Sequence, residues 1–268
     1  MRAIATIALN VFRESVRDKV LYSLVLFAVL LMAVSYLLSQ LTAGQDVKII
    51  KDLGLAAMSL IGLFIAVFIG VGLVSKEVEK RSIYSLLAKP IRRQDLLLGK
   101  YLGLLLTLLV NVAAMTVAYY AVLGTVAWVA GSWFEPHWEA PAVDPALLKA
   151  IAMIYLQLAI VTAVALLFST FSSPMLATAL TLGLYVVGHF NADLRNFDAI
   201  VQSRPIAWLA SGLYYLLPNL APLDVKDAVV HGLPVPAGLL LMNTAYAILY
   251  IAVTLSAGAF IFDRRDFK

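Results

Sequence analysis

The chain has 268 residues, of which 62% are hydrophobic and 13% charged, with a formal net charge of +4 and a mean hydropathy of +0.92. Soluble domains carry about a quarter charged residues, so this composition excludes a water-soluble globular protein and places the chain in a bilayer. With no cysteine, neither a lipidation box nor a disulfide is possible.

In chain order, residues 3–18 come first. Ile4, Ile7, Ala8, Val11 and Phe12 recur at helical spacing, while Asn10, Arg13, Glu14, Arg17 and Asp18 fall elsewhere. This pattern predicts an amphipathic helix lying in the cytoplasmic interface, not a signal peptide. Uncharged apolar runs long enough to cross about 30 Å of hydrocarbon follow. They are Val20–Leu41, Leu53–Val74, Leu102 to about Val129, Leu147–Phe168 with Lys149 at its edge, Pro174–Phe190 and Pro236–Phe262. A further apolar stretch, Ile206–Leu217, follows Arg204-Pro205 and is too short to cross, which makes it re-entrant or interfacial. The expected fold class is all-α: one membrane domain over 1–268, with six transmembrane helices, an amphipathic N-terminal interfacial helix at 3–18, and short outer-face helices before the last span.

Between the third and fourth runs, Ala130–Ala146 (AGSWFEPHWEAPAVDPA) has three prolines and the aromatics Trp133, Phe134 and Trp138, as an irregular loop at headgroup level does. Its Glu135-Pro136-His137-Trp138-Glu139 core lacks the second His or Cys that a metal site needs. The segment 188–235 holds the Ile206–Leu217 stretch, a break at Pro218-Asn219, and a second short helix expected over Leu223–Val230, together capping the outer face.

Lys and Arg fix the orientation. Fourteen lie in the two termini and in Ser75–Lys100, and six lie in the alternate set of connections. Positive-inside bias therefore puts both termini and the 75–100 loop in the cytoplasm. Between their ends the six runs hold no Asp, Glu, Lys or Arg once Lys149 is set aside. A carrier driven by protons or sodium keeps such residues at membrane depth. Neither H-E-x-x-H nor G-x-S-x-G occurs, which disfavours an intramembrane enzyme, and no P-loop occurs, so ATP is not held by a P-loop of this chain. Energy for uphill transport would have to come from another protein.

The stretch SKEVEKRSIYSLLAKPIRRQDLLLGK, Ser75–Lys100, carries ten charged residues between two very apolar runs. The second span is expected to continue as a helix through Glu77 and Glu79. Ser82–Ala88 then forms a short helix with Ile83, Leu86 and Leu87 on one face, ended by Lys89-Pro90. Gly99 and Gly103 in the next helix, and the strip Gly62, Ala66 and Gly70 in the second span, permit close helix packing. A docking element explains the apolar face and the carboxylates; a solvated basic loop that only sets topology explains the arginines alone.

Glu77 and Glu79, then Arg81-Ser82, Leu86-Leu87, Lys89-Pro90, Arg92-Arg93 and Gly99-Lys100, with FSTFSSP at Phe168–Pro174 and YYLLPNLAPLDVKDAVVHG at Tyr214–Gly232, resemble the exporter-type ABC transporter permease family. The likeness is nearest to its branch similar to the NosY and gliding-motility permeases, and it covers nearly the whole chain. The resemblance implies a non-enzymatic half-transporter of the bacterial cytoplasmic (inner) membrane, paired with a second permease copy or homologue. It implies two ABC ATP-binding subunits that carry ATP and Mg, no cofactor on this chain, and no nucleic-acid partner. Carried over residue by residue, it assigns ATPase coupling to Glu77, Glu79, Lys80, Arg81, Ser82, Tyr84, Leu87, Lys89, Pro90, Arg92 and Arg93. The alternative is a membrane scaffold or receptor subunit that uses the same loop on a partner other than an ATPase.

Overall fold

The computed structural model describes residues 2–39, 46–79, 93–129, 141–190, 212, 214 and 217–264. Among the described residues there are eight α-helices, one 3₁₀ turn and no strand. The helices are α1 (Arg2–Val16), α2 (Lys19–Ser39), α3 (Asp46–Glu79), α4 (Arg93–Val129), α5 (Leu147–Phe171), α6 (Pro174–His189), α7 (Lys226–Val230) and α8 (Ala237–Arg264), with the 3₁₀ turn at Ala221–Leu223 before α7.

Four of the six expected spans, α3, α4, α5 and α8, are long and apolar enough to cross a membrane; α2 and α6 supply the shorter apolar stretches Leu21–Val34 and Pro174–His189. The arrangement follows from where apolar residues fall. α5 is apolar all round, and a helix of that kind belongs in the centre. It packs against α3, α4, α6 and α8, with Leu158, Ile160, Val161, Ala163 and Leu166 fully buried. α8 is the most exposed of the four, with Leu241, Met242, Leu249 and Val253 on its free face.

α6 follows α5 after Ser172 and Ser173, with Pro174 in its first turn, where proline's missing N–H is no loss. It ends at His189, opposite Gln157, ten residues into α5 and thus about 15 Å from that helix's start. The chain returns there at 217–223. Leu220 N–H donates to the Gly188 carbonyl at 2.9 Å, the Tyr246 hydroxyl accepts from Asn219 N–H at 2.8 Å, and the Asn243 amide donates to the Pro222 carbonyl. Non-helical backbone is tolerated at membrane depth only when other protein groups satisfy it, and α6 and α8 do so here. α7 ends in a Schellman turn: Gly232 has φ 70°, Leu233 N–H donates to the Ala228 carbonyl at 2.8 Å and Gly232 N–H to the Val229 carbonyl at 3.1 Å.

Three expectations shift. The helix expected over Leu223–Val230 is shorter: Leu223 closes the 3₁₀ turn, Asp224 and Val225 are non-helical, and α7 begins at Lys226. The 188–235 segment does more than lie over the outer face, since its 217–223 part packs onto α6 and α8. The helix of the second span begins at Asp46, seven residues before Leu53, so Lys48, Lys51 and Asp52 lie on α3. Most of Ile206–Leu217 and the whole Glu135–Glu139 stretch lie outside the described residues.

Candidate functional site

The junction of α3 and α4, on either side of residues 80–92, is the candidate site. Of the residues singled out there, Glu77 and Glu79 lie in the last turn of α3 and Arg93 opens α4. Lys80, Arg81, Ser82, Tyr84, Leu87, Lys89, Pro90 and Arg92, and with them the short helix expected over 82–88, lie outside the described residues. Asp95 sits in the first turn of α4, where a carboxylate is favoured by the helix dipole.

What the structure describes is the mounting of these two helix ends. On α3, a Cβ built at Gly62 would sit 2.5 Å from Leu158 Cδ1, and one at Gly70 would sit 3.3 Å from Ala165 Cβ. Ala66 between them is buried. The small-residue strip of α3 therefore faces α5, within this chain. On α4, the neighbour at the two glycines is α1. A Cβ at Gly99 would stand 2.7 Å from Ile7 Cγ2, and one at Gly103 would stand 2.7 Å from both the Ala8 carbonyl oxygen and Val11 Cβ. Main chain thus approaches main chain, which only glycine permits. The apolar stripe of α1, expected to rest on the membrane surface, is turned onto α4, with Ala8 and Val11 buried.

Tyr101, midway between those glycines, donates its hydroxyl to the Ala159 carbonyl of α5 at 3.2 Å; in return Tyr155 of α5 donates to the Leu105 carbonyl of α4 at 3.1 Å. Around them Val11, Leu97, Leu104, Ala163, Leu166 and Leu255 form a compact apolar cluster of their own. α1, α4, α5 and α8 meet in it, so the entry of α4 is keyed to most of the bundle. Beside it a groove of about 330 Å³ runs between α4 and α8, lined by Gln94, Leu97, Leu98, Ala252, Leu255 and Ala259.

Deeper in the bundle, polar side chains are paired. The Gln157 side-chain nitrogen lies 2.7 Å from His189 Nε2, His189 Nδ1 lies 2.9 Å from the Tyr185 carbonyl, and the Tyr185 hydroxyl lies 3.3 Å from Ser59 Oγ. A carbonyl can only accept, so His189 carries a proton on Nδ1, and its Nε2 is left to accept from the Gln157 amide. The chain ties α3, α5 and α6 together; it contains no nucleophile with an activating base. Among the described residues no group of three His, Asp or Glu could hold a metal.

Sequence reasoning missed the burial of two lysines, Lys100 in the candidate span Gln94–Trp128, at 4% exposed, and Lys51. Lys51 lies within the candidate span Val47–Gly72 and is 1% exposed, so the bundle does hold a buried ionisable group. The uncharged apolar run begins only at Leu53, yet Lys51 shares the stripe of Leu55, Met58 and Gly62. That spacing was the available signal.

The family model described as ABC-2 family transporter protein matches residues 5–267. No curated protein matches the chain.

Proposed function

We propose, from the premise that the chain belongs to the ABC-2 transporter family, that it is the membrane-spanning permease subunit of an ATP-driven exporter, coupled through the loop between α3 and α4 to a separate ATP-binding subunit. Family membership makes it an integral membrane permease of ABC transport that is not itself catalytic and works with ABC ATP-binding subunits. The finer reading is ours. α2, at 21 residues, and α6, at 16, complete six spans with α3, α4, α5 and α8. Both termini and the 75–100 loop are cytoplasmic, in a bacterial inner membrane, with a second permease copy or homologue beside this one. Glu77, Glu79, Lys80, Arg81, Ser82, Tyr84, Leu87, Lys89, Pro90, Arg92 and Arg93 contact the ATPase, and ATP and Mg belong to that partner. The quoted stretches around Arg81, Phe168–Pro174 and Tyr214–Gly232 support the exporter type and its NosY and gliding-motility branch.

The observation that carries this reading is the family match across 5–267, which takes in the coupling loop as well as the spans. Its test is affinity purification of the tagged chain from its native membrane, with mass-spectrometric identification of bound proteins. A P-loop ATPase in near-stoichiometric amount is the expected result. Recovery of a stable complex whose other members lack any ATP-binding domain would sink it in favour of a scaffold.

A further inference from the structure

The junction of α3 and α4 has a counterpart at the opposite end of the same two helices. There the Lys51 side-chain nitrogen donates to the Pro141 carbonyl at 2.7 Å, and Asp144 is the carboxylate whose field reaches it. The carbonyl of Lys51 itself accepts the Tyr119 hydroxyl at 3.1 Å. The next residue of α4, Tyr120, donates to the Asp144 carbonyl at 2.9 Å, while the Asp144 side chain accepts Ala146 N–H at 2.7 Å and so shapes the turn that leads into α5. Gly54 makes the arrangement possible: a Cβ there would overlap the Cδ2–Cε2 edge of the Tyr119 ring.

These bonds close a ring. Tyr119 ties α4 to α3, Tyr120 ties α4 to the lead-in of α5, and Lys51 ties that lead-in back to α3. A lysine buried among Leu55, Met58 and Tyr119 is unfavourable beside an apolar side chain unless its bond is needed, because an ionisable group in a span has to be drawn from water. Its bond is made to a loop carbonyl, so what Lys51 holds is the position of that loop.

We infer that Lys51 is the positioning residue of an outer clamp that makes α3, α4 and the 141–146 lead-in of α5 move as one body. α3 and α4 are the two helices whose cytoplasmic ends flank 80–92. With their far ends locked, a displacement given to them at the cytoplasmic end cannot be absorbed by sliding or splaying and is delivered to the outer face. The clamp itself stands on geometry alone; its use in transmission rests on the permease reading.

The test uses the full chain, which has no native cysteine. Ala142, buried between Pro141 and Asp144, becomes the reporter as Ala142→Cys. Labelling by a polar maleimide is timed in detergent, so that sidedness plays no part. The clamp predicts slow labelling in the parent, and an increase of about tenfold or more with Lys51→Met, since local opening exposes what the bond had held. Tyr119→Phe, which keeps the ring over Gly54 and loses only the hydroxyl, should give a smaller increase. A second reporter, Ala247→Cys on the packed face of α8, where Ala247 is buried, must stay unlabelled throughout. If Lys51→Met exposes that reporter too, the chain has unfolded and the Tyr119→Phe, Tyr120→Phe double variant decides instead. Unchanged labelling of Ala142→Cys in backgrounds that remain folded overturns the clamp. In the complex with its ATPase, a non-hydrolysable ATP analogue should shift the Ala142→Cys rate in the parent, and no longer in Tyr119→Phe. A shift that survives Tyr119→Phe overturns transmission while leaving the clamp and the permease reading standing.

Discussion

At Gly103 and Gly62 the same added methyl group meets very different neighbours. The first would press on the Ala8 carbonyl oxygen and Val11 Cβ of α1, and the second only on the far end of the Leu158 side chain. A side-chain tip rotates away, whereas a main-chain oxygen moves only if its helix moves. Gly103→Ala should therefore cost about 1–3 kcal/mol, the range for overpacking, and Gly62→Ala less than about 1 kcal/mol. Thermal unfolding in detergent checks the order, and trypsin cleavage at Arg13 and Arg17 should quicken in Gly103→Ala alone. Equal midpoints and equal cleavage would mean that α1 is not seated on α4. The buried polar chain gives a second residue-scale expectation. Gln157→Leu leaves His189 Nε2 without its partner in an apolar setting and should lose about 1–3 kcal/mol. Ser59→Ala removes only the longer 3.3 Å contact of Tyr185 and should lose less. A reversed order of melting temperatures contradicts the assignment.

At the scale of elements, α3 meets α5 through a strip that is one helical face deep. Gly70 lies against Ala165, while a Cβ at Gly72, two residues on, would meet nothing within 4 Å. Gly70→Leu should reduce folded yield and Gly72→Leu should not, as read by fluorescence-detected gel filtration; loss in both or in neither would contradict the seating of α3. The period of four in Gly62, Ala66 and Gly70 made such a strip legible, but its partner was not, because α5 is apolar on every side and offers no distinguishing pattern. The same limit explains Gly99 and Gly103. Small residues announce a close neighbour, yet only the fold brings α1 to them. Lys51 escaped for another reason: hydropathy delimits the apolar part of a helix, whereas α3 starts at Asp46, where hydrogen bonding allows it. The roles of Tyr101, Tyr119, Tyr120 and Tyr155 are not legible, because a hydroxyl reaching a neighbouring main-chain carbonyl leaves no trace in sequence spacing. The stretch 217–223 showed its proline break but not its insertion beside α6, which depends on Tyr246 and Asn243 of α8.

For the whole molecule, the arrangement is a bundle centred on α5, with the α3–α4 junction at one end and the Lys51 clamp at the other. On the proposed topology, which rests on the fourteen-to-six division of Lys and Arg, the junction faces the cytoplasm. In intact cells, Ser85→Cys should resist an impermeant thiol reagent while Ala140→Cys reacts; labelling of Ser85→Cys from outside would remove the junction from any cytoplasmic ATPase. The central claim is that this junction drives the bundle. On the proposed reading Leu87 would be its apolar anchor; an apolar anchor desolvated in a cleft is worth about 2 kcal/mol or more, against about 0.2–1 kcal/mol for an exposed ion pair such as Glu79 or Arg81 would make. The measurement that tests the claim most directly is the ATP hydrolysis rate of the purified complex in liposomes, at matched permease content, with the parent chain and with Leu87→Asp. Hydrolysis stimulated by the parent and lost with Leu87→Asp, more completely than with Glu79→Ala or Arg81→Ala, is the predicted result. An assembled Leu87→Asp complex that hydrolyses ATP at the parent rate would contradict it.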